Sequence, residues 1–327
     1  MDSLTTTLPP SSSGRPRIKF RAALQVAICG VSLLLTGCSS PQFQQQHPSS
    51  LPKQTSIKLP SNAELLESHK FNDYTISRYF IEGQNSVLEI RKAGVRVFAL
   101  QETGIFTGSY GFGDNEKFPI GKNLTGNGKP NLVVRTYDGG AHCCTDVHVF
   151  ELGENFRHVA RFNAKHSESV NFEDLDKNGI LTVSMADCHY IDVIAPMIAS
   201  PAPAIIFRYR DGGYQLAPDL MKQPAPAKEE LKKFAQEIRH LFEQAQKKPE
   251  EADMILTRWN QEYPVPQLWS KMLDLIYSGN ESEALQLFEE AWPETFPGKQ
   301  RALKKFNALV DSSPFNPRKI WQEKAGR

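Results

Sequence analysis

A histidine and two adjacent cysteines follow a glycine-glycine turn in the segment YDGGAHCCTD, residues 137–146. Cysteine and histidine side chains can ligate zinc or form a nucleophile–base pair, and two cysteines can form a disulfide. A similar stretch, DCH, follows later in the chain, and the two stretches form one cluster if the fold brings their loops together. The residues that would then meet are His142, Cys143, Cys144, Asp187, Cys188 and His189.

A structural disulfide fits this spacing better than a metal site or a catalytic site. Zinc signatures usually space their ligand pairs by two to four residues, whereas these residues are adjacent. Adjacent side chains point to opposite faces of an extended strand, which separates them. A nucleophilic cysteine must stay reduced, and an oxidising compartment does not favour that state. Metal binding and catalysis by the same six residues remain the alternatives.

The alternation of faces along a strand selects the partners in the predicted disulfide. After the Gly139-Gly140 turn, Cys143 shares its face with apolar residues and Cys144 shares its face with polar residues. By the same alternation, Cys188 lies on the polar face of the later strand. We therefore predict a bridge between Cys144 and Cys188, with Cys143 as a buried thiol. A bulge near the turn would reverse the parity and make Cys143 the partner of Cys188.

The N-terminus has the pattern of an exported protein. Four basic residues between Arg15 and Arg21 precede a short apolar run that ends in LTGC, residues 35–38. The run is too short to cross a membrane, which takes roughly 20 apolar residues. Its ending resembles the lipobox of bacterial lipoproteins, which implies cleavage before Cys38 and diacylation of that cysteine. An ordinary cleaved signal that happens to end near a cysteine is the alternative.

The lipoprotein resemblance implies a place in the bacterial envelope. Ser39 follows the modified cysteine, which implies sorting to the outer membrane of a Gram-negative host, facing either the periplasm or the surface. Loss of residues 1–37 removes four of the 38 basic residues and one of the 37 acidic residues, so the mature net charge is near −2. We therefore expect membrane contact through the lipid and no nucleic-acid partner.

Composition divides the chain into a signal peptide, two linkers and two folded segments. Residues 38–62 follow the signal peptide (1–37), and their Ser, Gln and Pro content predicts a disordered tether. Short β-branched and aromatic runs over 63–217 predict a β domain built as an antiparallel sheet or sandwich. A Pro-rich linker at 218–229 precedes amphipathic patterns over 230–327, which predict an all-α bundle of helical hairpins. The predicted fold class is α+β with two domains.

An internal repeat lies within the predicted β domain. Two stretches that begin at Asn123 and Asp174 have the same order of turn residues before an apolar strand. They resemble the FG-GAP and VCBS repeats of integrin-α-like β-propellers, whose loops bind calcium. The segment has room for three blade-sized units at most, whereas a propeller takes at least four, so we expect a smaller sheet.

The second copy of the repeat is the candidate calcium loop. Asp174, Asp176 and Asn178 supply oxygen ligands at alternate positions, as calcium loops do. No late acidic ligand follows, and the first copy carries no charge at the equivalent positions. We therefore expect an Asx-rich turn and no cofactor, with a weak calcium site as the alternative.

The helical half has a weaker resemblance to a tetratricopeptide repeat. Gly279, Ala284, Phe288 and Ala291 match the second helix of that repeat, in which small residues let paired helices approach. Helical hairpins of ordinary bundles have the same spacing, and the residues would then only pack the bundle.

These patterns together favour binding over catalysis. The chain has no catalytic sequence motif of the hydrolase, metalloprotease or phosphate-binding type. We therefore expect a non-enzymatic binding or assembly module, anchored in the outer membrane, whose partner is a protein or an envelope polymer. The alternative is a periplasmic hydrolase, or a metal or redox protein, that uses the six-residue cluster between His142 and His189.

Overall fold

The structure is a computed structural model of the chain. Contacts divide the chain into Met1–Gln42 and Phe43–Arg327, and every described residue belongs to the second unit. The predicted signal peptide, Cys38 and most of the predicted tether lie outside the described residues, so these predictions stay predictions. The structure describes residues 57–82, 86–107, 120–140, 143–165, 170–247, 263–319 and 321.

Three four-stranded antiparallel sheets make up the described β part, and each sheet is a meander of consecutive strands. The first sheet contains β1 to β4, the second β5 to β8 and the third β9 to β12. The prediction of antiparallel β-structure is confirmed. The strands are β1 (Glu64–Phe71), β2 (Tyr74–Phe80), β3 (Ser86–Lys92), β4 (Val95–Glu102), β5 (Gly104–Thr107), β6 (Asn131–Gly140), β7 (Cys143–Leu152), β8 (Phe156–Lys165), β9 (Val170–Glu173), β10 (Thr182–Ala186), β11 (Ala204–Arg210) and β12 (Gly213–Leu216).

The second sheet lies between the first and the third, because alternate residues of its strands enter different cores. Val134 and Phe150 belong to a core shared with the first sheet. Their chain neighbours Val133 and Val149 belong to a core shared with the third sheet. Both faces of the second sheet therefore contribute apolar side chains to a core.

Five described helices follow the third sheet, and amphipathic spacing accounts for them. In α2, the buried residues Leu231, Ala235, Ile238 and Phe242 recur every three or four positions, which forms one apolar stripe. Among the described helices, none combines the length and the apolarity needed to span a bilayer. The helices are α1 (Pro218–Met221), α2 (Lys228–Lys247), α3 (Pro266–Tyr277), α4 (Glu281–Ala291) and α5 (Lys299–Ser312).

A tight turn joins α3 to α4. Gly279 in this turn has a φ of +81°, the left-handed conformation that glycine adopts without strain at the end of a helix. Ala284, Phe288 and Ala291 are fully buried in α4. The four residues of the tetratricopeptide resemblance therefore lie at the turn and in the core of this hairpin.

One core continues from the third sheet into the helices. The rings of Phe207 in β11 and Phe315 after α5 are 5.8 Å apart, and both residues belong to the same buried cluster as Trp269 of α3. The mixture of antiparallel sheets and helices is confirmed. A division into two domains at 218–229 stays a prediction, and it must accommodate this shared core.

Candidate functional site

The second half of the predicted cluster lies where β10 ends. Asp187 precedes a short 3₁₀ turn formed by Cys188–Tyr190, and its Oδ1 accepts a hydrogen bond from the backbone N of His189 at 2.9 Å. The Asp187 side chain therefore caps this turn. His142 and the side chain of Cys143 lie outside the described part of the chain.

The Asp187 carboxylate is buried, and its acceptor atoms are occupied. The residue is 1% exposed. Its Oδ2 accepts hydrogen bonds from Tyr277 Oη at 2.5 Å and from Ser313 Oγ at 2.7 Å. Buried charge is costly unless donors surround it, and these two hydroxyls meet that requirement. Since Tyr277 ends α3 and Ser313 follows α5, the carboxylate ties two helices to the third sheet.

Two tyrosines extend this network as neutral hydroxyl groups. Tyr190 Oη lies 2.9 Å from Tyr277 Oη. Burial, and then the charge of Asp187, raises the pKa of both tyrosines above its ordinary value. Both phenols therefore keep their protons, which lets Tyr277 donate to Asp187.

Cys188 and His189 contact other elements. Cys188 Sγ donates to the carbonyl of Ala164 on β8 at 3.3 Å, and His189 Nε2 lies 2.9 Å from Ser312 Oγ on α5. Burial lowers the pKa of His189, although the nearby Asp187 charge opposes that effect. Asp187 and His189 thus both reach the end of α5, at Ser313 and Ser312, whereas Cys188 points toward β8. A hydrolytic site needs acid and base groups that converge in a pocket, whereas Asp187 is 1% exposed and two hydroxyl groups donate to its Oδ2.

The predicted disulfide between Cys144 and Cys188 is wrong, because Cys188 is not in a disulfide. The parity argument assumed that the strand continues through position 188. The strand ends at Ala186, and the 3₁₀ turn that follows rotates the Cys188 side chain toward β8 instead. Cys144 is itself disulfide-bonded, with a partner outside the side chains that the structure describes. The predicted burial of the Cys143 thiol also falls outside them.

In the loop between β9 and β10, polar side chains accept hydrogen bonds from backbone N–H groups of the same loop. Asp174 Oδ1 and Oδ2 each accept a backbone N–H at 2.9 Å, from Asn178 and Gly179 respectively. Asn178 Oδ1 accepts the N–H of Ile180 at 2.9 Å. These are the local bonds of an Asx-type turn, which is the interpretation that the sequence favours.

The remaining acid of this loop pairs with an arginine. Arg208 Nε and Nη2 donate to Asp176 at 2.7 and 3.1 Å, and Nη2 also donates to Asp219 of α1 at 2.8 Å. A guanidinium thus supplies positive charge beside the candidate calcium ligand. Within the described ranges, no three His, Cys, Asp or Glu side chains are grouped so that they could hold a metal ion.

The two repeat loops occupy equivalent positions and touch each other. The loop from Asn123 leads into β6 and the loop from Asp174 leads into β10, each the second strand of a meander. Leu181 N donates to the carbonyl of Leu124 at 2.8 Å. Gly126 has a φ of +69°, and a Cβ there would lie 2.3 Å from Ile180 Cγ1, so only glycine fits this contact.

A histidine pair between the first and second sheets, in which His148 is buried and His158 is partly buried, was not predicted from the sequence. His148 Nδ1 lies 3.1 Å from His158 Nε2, and both rings stack on Phe150. Burial lowers the pKa of His148 well below its ordinary value and lowers that of His158 to about 4. Alternating histidine and phenylalanine on a strand gives no sign of whether that face is buried, so the sequence could not find this pair.

A short loop before β11 presents an apolar tip. Met197 and Ile198 are 36% and 75% exposed. The loop is braced beneath them, because Ser200 Oγ donates to the carbonyl of Ala195 at 2.5 Å and accepts from Asp192 N at 3.0 Å. Two adjacent apolar side chains are therefore held in solvent by a hydrogen-bonded loop.

A shallow depression lies between the end of α4 and the start of α5. Trp292, Phe296 and Arg301 are among the residues that line it. It has room for about one water molecule, which is too little for a substrate.

Comparisons with protein-family models, with curated proteins and with solved structures found no match for this chain.

Proposed function

We propose that the chain is a non-enzymatic binding or assembly module of the bacterial envelope, held at the outer membrane by acylated Cys38. The supporting observation is the state of Asp187, the one carboxylate of the alternative active site. Its two oxygens accept hydrogen bonds from Tyr277, Ser313 and a backbone N–H, which fastens the helices to the third sheet. A carboxylate whose two oxygens accept these hydrogen bonds has a structural role.

The alternative hydrolase would need Asp187 to orient or accept a proton from a histidine. His189 lies nearest in the chain, but its described side-chain partner is Ser312 on α5. The same argument applies to a redox role of Cys188, whose thiol hydrogen-bonds a strand carbonyl. The contacts of these residues account for their burial without any reaction.

The Met197–Ile198 tip is the binding surface that we assign. Binding modules expose apolar side chains to water, which is unfavourable. A partner that covers these side chains removes that free-energy cost. The bracing by Ser200 holds the tip in one conformation, which lowers the entropy lost on binding. The partner of such a tip is a protein with an apolar pocket.

A pull-down from solubilised envelope tests the binding function and its surface together. The bait is the full acylated protein, compared with a Met197→Ser/Ile198→Ser variant and with Leu285→Ser as the control. Leu285 is 38% exposed on α4, on a different element, so it matches the change in chemistry. We expect the same partner with the wild type and the control, and its loss with the tip variant. Equal capture by all three proteins would exclude the tip as the binding surface.

The anchor is tested separately by changing Cys38 to Ala. The variant should leave the membrane fraction and unfold at the same temperature as the wild type, because Cys38 lies outside the unit that contains the sheets. Retention on membranes after a high-salt wash would contradict the lipoprotein part of the proposal.

A further inference from the structure

The first sheet joins the described fold through an apolar core of its own. Leu88, Ile90 and Leu100 of this sheet pack there with Val134 and Phe150 of the second sheet. The larger core, which the second sheet shares with the third sheet and the helices, contains no residue from the strands of the first sheet. Separation of the first two sheets would therefore expose the smaller core and leave the larger core covered.

The first two sheets are connected near both ends of β7. Tyr74 Oη and Lys92 Nζ donate to the carbonyl of Gly153, in the turn after β7, at 2.8 and 3.3 Å. Near the start of β7, Thr103 alone separates β4 from β5 and links the two sheets through the chain. The histidine pair lies between these two connections, since His148 is in the middle of β7.

The two rings of the pair face each other and can share one proton. His148 Nδ1 lies 3.1 Å from His158 Nε2, so one of these nitrogens donates and the other accepts. The ring of Phe98 on β4 lies 5.9 Å from the His158 ring, which brings the first sheet against the pair. A second proton would place two positive rings in contact beside apolar side chains. Repulsion and lost hydration then disfavour the packed arrangement.

The charged groups around the pair do not offset a second proton. Arg161 on β8 stands opposite His148 and adds positive charge. Asp146 on β7 accepts hydrogen bonds from Arg161 Nε at 3.0 Å and Nη2 at 2.5 Å, so its charge is paired. On β4, Glu102 lies within electrostatic reach of Asp146 and Arg161, and burial raises its pKa. The strand β6 places the uncharged Val134 opposite His148.

Protonation of the two histidines favours separated sheets. Burial lowers the pKa of His158 to about 4, and it lowers that of His148 well below its ordinary value. Water around separated sheets would restore pKa values of about 6.5. The separated state therefore binds more protons below pH 6.5, and it becomes more favourable as the pH falls toward 4. Glu102 opposes this change, because its raised pKa lets the packed state bind a proton first, but it is one group against two.

We propose that the first sheet is an acid-released unit, which separates from the second sheet when His148 and His158 are protonated while the third sheet and the helices stay folded. Separation and complete unfolding expose the same two rings, so protonation favours both processes equally. Separation exposes only the smaller core, so it costs less free energy and occurs at a higher pH. Thr103 keeps the separated sheet attached to the second sheet, which lets it repack at neutral pH.

Thiol labelling of the full chain tests this switch. Val134→Cys places a thiol in the smaller core, and Val133→Cys, at the neighbouring position of β6, places one in the larger core. Rates are measured with dithiodipyridine and divided by those of a free cysteine peptide at each pH. Between pH 7 and 4.5 the rate at position 134 should rise by at least about 50-fold, which is the contribution of His158 alone. The rates at position 133 and at the native Cys188 thiol should change little.

Two further substitutions assign the rise to the histidines. In the Val134→Cys protein, His158→Phe should remove most of the rise, and His148→Phe replaces it if that protein does not fold. Glu102→Gln is the control, because it removes a nearby carboxyl and should leave the rise in place. An equal rise at positions 133 and 134 would mean that acid unfolds the whole fold, which would overturn the proposal. A constant rate at position 134, or a rise that persists in both histidine variants, would overturn it too.

Discussion

Two buried polar clusters hold the layers together, and they do so with different chemistry. The His148–His158 pair between the first and second sheets must stay neutral, because burial disfavours its charged form. The Asp187 cluster between the third sheet and the helices instead surrounds a carboxylate with donors. A buried polar group stabilises a fold only when its partners match its protonation state. We call the contact between the first and second sheets the histidine junction and the contact between the third sheet and the helices the Asp187 junction. Different mutations and pH changes should destabilise the two junctions.

The largest effect is expected from Asp187→Ala. The change leaves two buried hydroxyls and one N–H without their acceptor, which should lower the free energy of unfolding by about 4 kcal/mol. Urea denaturation at pH 7.5 measures this loss. Asp187→Asn keeps one carbonyl acceptor and the volume, so it should cost roughly half as much. A stable Asp187→Ala protein that has lost an enzymatic activity of the wild type would instead favour the hydrolase.

Acid should weaken the histidine junction by a nearly equal amount. Unfolded histidine binds a proton near pH 6.5, whereas folded His158 does so only at about pH 4. Below pH 6.5 the unfolded state therefore binds more protons, and stability falls as the pH falls toward 4. His158 alone should contribute about 3 kcal/mol of this loss between pH 7.5 and 4, and His148 acts in the same direction. Urea denaturation across this pH range measures it.

The control for the acid effect is His158→Phe, which keeps an aromatic ring beside Phe150. Carboxylates elsewhere titrate in both proteins, so the difference between the two pH profiles isolates the histidine. The variant should lose less stability on acidification than the wild type. Parallel profiles would show that the pair does not control the acid response of this junction.

A smaller effect is expected at Cys188, beside the Asp187 cluster. Cys188→Ala removes a buried sulfur and its bond to the Ala164 carbonyl, which should cost about 1 kcal/mol. Peptide mapping without reduction should find Cys188 alkylated after unfolding, as expected of a thiol. Recovery of Cys188 in a disulfide-linked peptide would mean that this junction is held by a covalent bond.

The smallest effect is expected at Arg208, which joins the repeat loop to α1 on the surface. Its side chain is 19% exposed and its partners are more exposed, so Arg208→Gln should lower stability by about 0.5 kcal/mol. Millimolar calcium should move the melting temperature of the wild type little, since Asp174 already binds backbone N–H groups. A shift of many degrees that EDTA reverses would show that the loop binds calcium.

Local features of this fold could be predicted, and long-range features could not. The bonds of Asp174 and Asn178 join residues within the same loop, so residue type and spacing were sufficient to predict the turn. The Cys188 pairing failed because a 3₁₀ turn ended the alternation of a strand two residues early. Tyr277 lies on an apolar helix stripe, and no sequence pattern indicates that its hydroxyl meets Asp187 from a position 90 residues away.

The position of β1 has a mechanical consequence. It is the edge strand of the first sheet, it pairs with β2 alone within that sheet, and most of its side chains are exposed. A pulling force applied at the N-terminus would load the pair at Glu64, which is the open end of the hairpin opposite the turn after Phe71. The hydrogen bonds would then break one after another under a low force. The buried strands and helices would stay folded, so β1 would be the element that yields first.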